Sequence, residues 1–190
     1  MKKILIIFLS VFLLFSCGSS DNKSDKSVIV KKAGLRLYEW KDFSMRIPAA
    51  WNLLTDNNEV VPQPVSWKLE LAISSVDTKN WFANSLVILS QNLDKEISSK
   101  DYSVINNVWA ENDYLNYFKK QAKDFVFSDW EKSIIYNFDA KYSADAPLIQ
   151  YIQTAHICNW KKAFLLTLWI PLKVKDISKY EKMLATFKCK

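Results

Sequence analysis

The chain has 190 residues, 49% of them hydrophobic and 14% aromatic, which is one domain's length with ample apolar material for a core. Its formal charge of +6 comes without any run of lysines interleaved with aromatics, so no nucleic-acid face is marked. Glycine occurs only at positions 18 and 34, which excludes a glycine-rich phosphate cradle.

Lys2 and Lys3 precede an apolar run from Ile4 to Phe15 that is broken only by Ser10. A charged segment followed by an apolar one reads as an export signal. The run is too short for a permanent span, which takes about 20 residues. Leu14-Phe15-Ser16-Cys17 closes it and resembles the lipobox of bacterial lipoproteins. The resemblance implies that residues 1–16 are removed and that Cys17 becomes a lipid-bearing N-terminus, a thiolate being a good nucleophile for alkylation. At about 0.8 kcal/mol per buried methylene, two or three acyl chains would anchor the protein firmly, so membrane lipid is its first expected partner. An ordinary secretory signal with a coincidental cysteine is the competing reading. Cleavage removes Lys2 and Lys3 and takes the charge from +6 to +4. The expected location is the bacterial cell envelope, with the domain facing the periplasm or the exterior. Gly18, rather than Asp, follows the cysteine, which by the same resemblance favours an outer membrane where one exists.

Residues 17–34 are dominated by Ser, Asp, Asn and Lys and read as a flexible tether; the folded domain is expected over 35–190. Leu35 to Glu39 and Phe43 to Ile47 alternate around a polar turn and predict a hairpin with Phe43, Met45 and Ile47 inward. Pro48 ends the second strand, and Trp51 is placed to plug the end of the core. Residues 56–64 read as a loop. Residues 66–74 predict a strand with Trp67, Leu69, Leu71 and Ile73 inward, and residues 83–89 a more continuously apolar one. Ser98 or Ser99 then caps a helix with Asp101 in its first turn. Tyr102, Ile105 and Trp109 mark its expected inner face. Leu115, Phe118, Ala122 and Phe125 continue a stripe after a slip near residues 111–113, giving one kinked helix or two. Residues 133–142, 148–158 and 163–170 predict three strands, the last two apolar on both faces and therefore central; Asn159 suits a positive φ in the turn between them. Asp176 caps a final helix carrying Ile177, Tyr180, Leu184 and Phe187. The expected class is α+β: an antiparallel sheet sandwiched by helices, in the order ββββ-α-βββ-α.

This order resembles the PsbP-like superfamily. The residues that carry the resemblance are Phe43-Ser44-Met45-Arg46-Ile47-Pro48 with Trp51, the helix from Lys100, the hairpin from Tyr151 to Trp169 turning at Asn159-Trp160, and the closing Thr186-Phe187. The family commonly closes on Ser-Phe and places glycines at turns that are missing here. What the resemblance implies is the α/β/α sandwich and a non-catalytic role; no site residue carries over.

With Cys17 lipidated, Cys158 and Cys189 remain, either as a disulfide suited to an exported protein or as two buried thiols. His156 is the sole histidine, so any Ser-His-Asp or Cys-His catalyst must use it. It shares a strand face with Thr154 and Cys158, and a satisfied buried histidine is the simpler reading. A metal site from His156, Cys158 and Cys189 lacks a fourth ligand and competes with the disulfide for the same sulfurs, so no metal or cofactor is assigned. Acidic pairs such as Asp139 with Asp145, or Glu111 with Asp113, show no arrangement beyond solvated surface, and no catalytic residue is assigned. Of the eight tryptophans, Trp51, Trp67, Trp109 and Trp169 fall on predicted inner faces. Trp40, Trp81, Trp130 and Trp160 fall at turns and form the candidate binding surface, with capping of the open ends of the sandwich as the alternative. The functional expectation is a non-enzymatic, membrane-anchored binding or accessory module for an envelope protein complex, or else a ligand or glycan binder using these rings.

Overall fold

A computed structural model of the chain describes residues 34–54, 66–75, 83–172 and 174–190. The signal segment, Cys17, nearly all of the tether and Trp81 lie outside these residues. The hairpin β1 (Leu35–Glu39) and β2 (Phe43–Pro48) forms as alternation requires, with Phe43, Met45 and Ile47 fully buried. Trp51 sits in β3 (Trp51–Leu53), a short strand on the edge of the main sheet, and packs into the same core. Next come β4 (Lys68–Ser75), β5 (Ser85–Asn92), helix α1 (Ser99–Asp113), β6 (Leu115–Val126), β7 (Lys132–Lys141), β8 (Ile149–Cys158), β9 (Lys162–Ile170), helix α2 (Ser178–Leu184) and β10 (Lys188–Cys189).

Seven strands form one antiparallel sheet in the order β3-β4-β5-β9-β8-β7-β6, while β1, β2 and β10 form a second, smaller sheet. The class is α+β as expected, with β8 and β9 near the centre of the large sheet. One face of that sheet meets the small sheet and α2 across a core of Leu71, Ile73, Leu86, Ile88, Ile152, Phe164, Leu166 and Leu168 with Phe43, Met183, Leu184 and Phe187. The other face carries α1, which touches β7, β8 and β9.

Three expectations are corrected. The observed order is βββββ-α-ββββ-α-β, because β3 and β10 are too short to signal themselves and residues 115–126 form a strand instead of continuing the helix. That strand, β6, is the exposed outer edge of the sheet; Leu115, Phe118 and Ala122 are exposed, so their helix-like spacing reflects no buried face. Leu69 packs with Trp67, Ala72, Val87 and Leu89 on the face opposite Leu71 and Ile73. The register shifts between Leu69 and Leu71, so Glu70 is the extra residue of a bulge that reverses the alternation.

The third correction concerns α1. Ser98 caps it by accepting from the Asp101 amide, but the buried face is Ser99, Tyr102, Ser103, Asn106, Asn107 and Ala110, whereas Ile105 and Trp109 face solvent. The reason lies in the sheet beneath. The β7–β8 ladder runs from Ala140 paired with Ile149 to Tyr136 paired with Gln153, and the strands separate beyond it. Hydroxyls then replace the missing ladder. The Ile157 amide donates to Ser99 Oγ at 2.7 Å, Ser103 Oγ donates to the Ile134 carbonyl at 2.7 Å, and Ser133 Oγ donates to the Ser99 carbonyl at 3.3 Å. Buried backbone groups need partners, and short hydroxyl side chains allow the helix close enough to supply them.

Candidate functional site

The turns that join β1 to β2, β6 to β7 and β8 to β9 carry Trp40, Trp130 and Trp160, and they meet at one end of the large sheet. Lys162, just past the β8–β9 turn, pairs with Asp42 of the first turn at 2.6 Å and with Glu70 at 3.2 Å. Glu70 is buried by its bulge and accepts from Ser90 Oγ (2.7 Å), Trp40 Nε1 (2.9 Å) and both its oxygens from Lys68 Nζ. Burial pushes its carboxyl pKa up, but the hydrogen bonds from Ser90, Lys68, Lys162 and Trp40 outweigh burial and hold it below the ordinary glutamate value. Burial likewise works against the Lys162 charge, and Asp42 and Glu70 reverse that and raise its pKa. A carboxylate offers roughly four acceptor positions, and here the donors fill them. Glu70 therefore fastens the small sheet to the large one and has no lone pair left for proton transfer.

The tryptophans divide by environment. Trp40 stacks on Tyr38, its indole N–H satisfied by Glu70. Trp130 is 84% exposed and Trp160 72% exposed, and both hold a positive φ, of 70° and 64°. A left-handed backbone costs an L-residue roughly 1–2 kcal/mol, and a bare indole adds unfavourable surface. Neither residue sits where it does for packing. Asn159, beside Trp160, takes the positive φ expected of it. Among the rings assigned to the core, Trp51, Trp67 and Trp169 pack inside, and Trp109 does not.

His156 is buried beneath the same end. Its Nε2 lies 3.0 and 3.2 Å from the carboxylate oxygens of Asp129, a residue of the β6–β7 turn that sequence reasoning missed, and Asp129 also accepts from the Cys189 amide. The ring packs edge-on to Phe127 and against Phe187. Cys158 and Cys189 are joined by a disulfide with a Cα separation of 5.7 Å, and Nδ1 of His156 lies 3.4 Å from Cys189 Sγ. The histidine thus has a carboxylate that orients it, as in a Ser-His-Asp triad, but a disulfide sulfur at the other nitrogen. The Thr154 hydroxyl on the same strand face is instead engaged with Ser133 and the Ile134 carbonyl. Asp139 pairs with Lys120 at 2.7 Å on the sheet edge, away from any second carboxylate in the described contacts.

The outer face of α1 is a separate feature. Val104, Ile105, Val108 and Trp109, at helical spacings of one, three and four, form one apolar stripe, each side chain between 38% and 49% exposed. Among the described residues no helix is long and apolar enough to cross a membrane.

These elements define an α+β protein with a two-layered sheet core and one helix on each side. That architecture is PsbP-like. The solution structure of cyanobacterial PsbP (CyanoP) from Synechocystis sp. PCC 6803 matches with a TM-score of 0.52 at 13% identity, over 93% of this chain and 99% of that one. A protein from Bacteroides thetaiotaomicron VPI-5482, solved by crystallography, matches with a TM-score of 0.41 at 11% identity over 78% of this chain and 45% of that one. No family model and no curated protein matches the sequence.

Proposed function

We propose that the chain is a membrane-anchored, non-enzymatic lipoprotein that acts as a binding or accessory module for an envelope protein complex, with the outward stripe of α1 as its docking surface. The observation that carries this reading is the inversion of the helix: Ser99, Ser103, Asn106 and Asn107 face inward, and Val104, Ile105, Val108 and Trp109 are left outside. Exposed apolar patches rimmed by polar groups mark interaction sites. The occupant is a protein and not a lipid surface, because the exposed ionic groups of α1 are predominantly acidic: Asp101, Glu111 and Asp113, with Lys100 paired to Asp124. Such a rim repels anionic headgroups and suits an apolar groove edged by basic residues. The saturated state of Glu70 and the disulfide beside His156 support a non-catalytic role, as does the PsbP-like fold.

The test is a photo-crosslinking residue placed at Val108 of the full-length chain, in cells that make the protein. A discrete protein adduct is expected at Val108, absent when the probe replaces Lys123 and lost with Ile105→Asp. Lipid adducts, a dimer of the chain itself, or the same products from both positions would refute the docking surface. Fractionation of Cys17→Ser tests the anchor: release from membranes is expected, and unchanged retention would sink it.

A second reading rests on Trp130 and Trp160, whose strained backbone and exposure have no structural purpose; they suit a stacking platform for a sugar or another flat ligand. Tryptophan fluorescence of wild type and Trp130→Ala against envelope glycans reads it out, and an equal response in both proteins would dismiss it.

A further inference from the structure

We propose that reduction of the Cys158–Cys189 disulfide converts it, together with His156, into a binding site for one thiophilic d10 cation of the zinc(II) class. Nδ1 of His156 lies 3.4 Å from Cys189 Sγ and 3.9 Å from Cys158 Sγ, and the three ligand atoms fall within 4.8 Å of one another. Tetrahedral zinc, with bonds of about 2.3 Å to sulfur and about 2.0–2.1 Å to nitrogen, sets its nitrogen and sulfur ligands roughly 3.6 Å apart. The nitrogen-to-sulfur distances are therefore already near those a cation needs. Only the two sulfurs must separate, and Cys189 has the freedom for it, lying in the two-residue edge strand β10, which pairs with β2 alone.

The surroundings are those of a metal-ligating histidine. Asp129 accepts from Nε2 at 3.0 Å, which fixes the ring and leaves Nδ1 as the atom turned toward the sulfurs; carboxylate–histidine pairs of this kind orient and strengthen metal ligands. Nδ1 also lies 3.2 Å from the Ile157 carbonyl, a contact the cation replaces. Phe127 and Phe187, with ring centroids 4.6 and 5.2 Å from the imidazole, exclude water from one side. Two thiolates neutralise a divalent cation, so the buried complex carries no net charge from its sulfurs and metal. The fourth position, on the partly exposed Cys189 side, falls to water.

The chemistry balances. A dithiol reductant delivers two electrons and two protons, the sulfur–sulfur bond breaks, two thiols form, and the reductant closes its own disulfide. Binding of the cation then forms two metal–sulfur bonds and releases both thiol protons to solvent. While Cys158 and Cys189 are joined neither sulfur is a thiolate, so the site exists only in the reduced state.

The full-length chain in detergent is reduced with a dithiol, freed of it without oxygen, and titrated with Co2+ as a spectroscopic stand-in for Zn2+. One equivalent should produce thiolate-to-cobalt absorption, one equivalent of Zn2+ should abolish it, and bound Zn2+ should protect both thiols from alkylation. The disulfide form should bind neither ion. His156→Ala should weaken Zn2+ binding more than tenfold, and Asp129→Asn between roughly tenfold and a hundredfold. Absence of the absorption, equal binding by the oxidised chain, or unchanged affinity in His156→Ala would each overturn the site. So would reduced wild type that, with Zn2+ bound, lacks the near-ultraviolet circular dichroism of the native fold; this measurement needs no variant.

Discussion

The two helices cover opposite faces of one sheet by opposite means. Helix α2 turns Tyr180, Met183 and Leu184 onto an apolar core, and Phe187, just beyond it, stacks on Phe43 and packs against Phe164. Helix α1 turns Ser99, Ser103, Asn106 and Asn107 inward between Tyr102 and Ala110, over strands whose ladder has opened, and leaves Val104, Ile105, Val108 and Trp109 in water. The first is held by area removed from water, the second by hydrogen bonds whose loss would strand buried backbone groups. A helix held in the second way is free to use its apolar face for something other than folding.

The largest expected effect falls on the α2 side. Phe187→Ala should destabilise the protein by about 3–5 kcal/mol in equilibrium urea unfolding, since a fully buried ring surrounded by Phe43, Phe127 and Phe164 leaves a cavity. Glu70→Gln should cost about 1.5–3 kcal/mol at neutral pH, the scale of hydrogen bonds to a charged group. Because the folded carboxyl lies below its usual value of 4.5, the stabilisation it gives is full above that pH and is lost as pH falls through the lower folded value. The gap between wild type and Glu70→Gln should therefore close in acid, and a gap that widened would contradict the network. On the α1 side, Ser99→Ala should cost about 1–3 kcal/mol by leaving the Ile157 amide without its partner. The smallest effect belongs to the turns. Trp130→Gly removes a positive-φ indole that is mostly exposed and should leave the unfolding midpoint unchanged or slightly raised.

The strands from Leu35 to Pro48 and from Lys132 to Ile170 were legible because burial enforces alternation there, and Asn159 announces its turn by its tolerance of a positive φ. Helix α2 was legible at helical spacing, but its N-cap is Ile177, with no side-chain cap, in place of the expected Asp176, and it ends at Leu184, short of Phe187. Strand β6 was not: on an exposed edge nothing disciplines its pattern, so Leu115, Phe118, Ala122 and Phe125 mimicked a helix. The inner face of α1 was misread because Ile105 and Trp109 are the natural candidates for burial, and only the parting of β7 from β8, a long-range fact, makes serines the better choice. In the candidate site, strand alternation places His156 and Cys158 together, but nothing local ties Asp129 to a ring 27 residues away. Glu70 was hidden by the bulge that buries it.

Equilibrium unfolding of Ser103→Ala beside Val108→Asp tests the division of labour within α1 most directly. The inverted helix predicts a loss of about 0.5–1.5 kcal/mol for the serine, whose hydroxyl shares the Ile134 carbonyl with that of Thr154, and a smaller change, within about 0.5 kcal/mol, for the valine on the outer face. The reverse order, with Val108→Asp the damaging change, would show that the apolar stripe is needed for folding and would contradict its assignment as a docking surface.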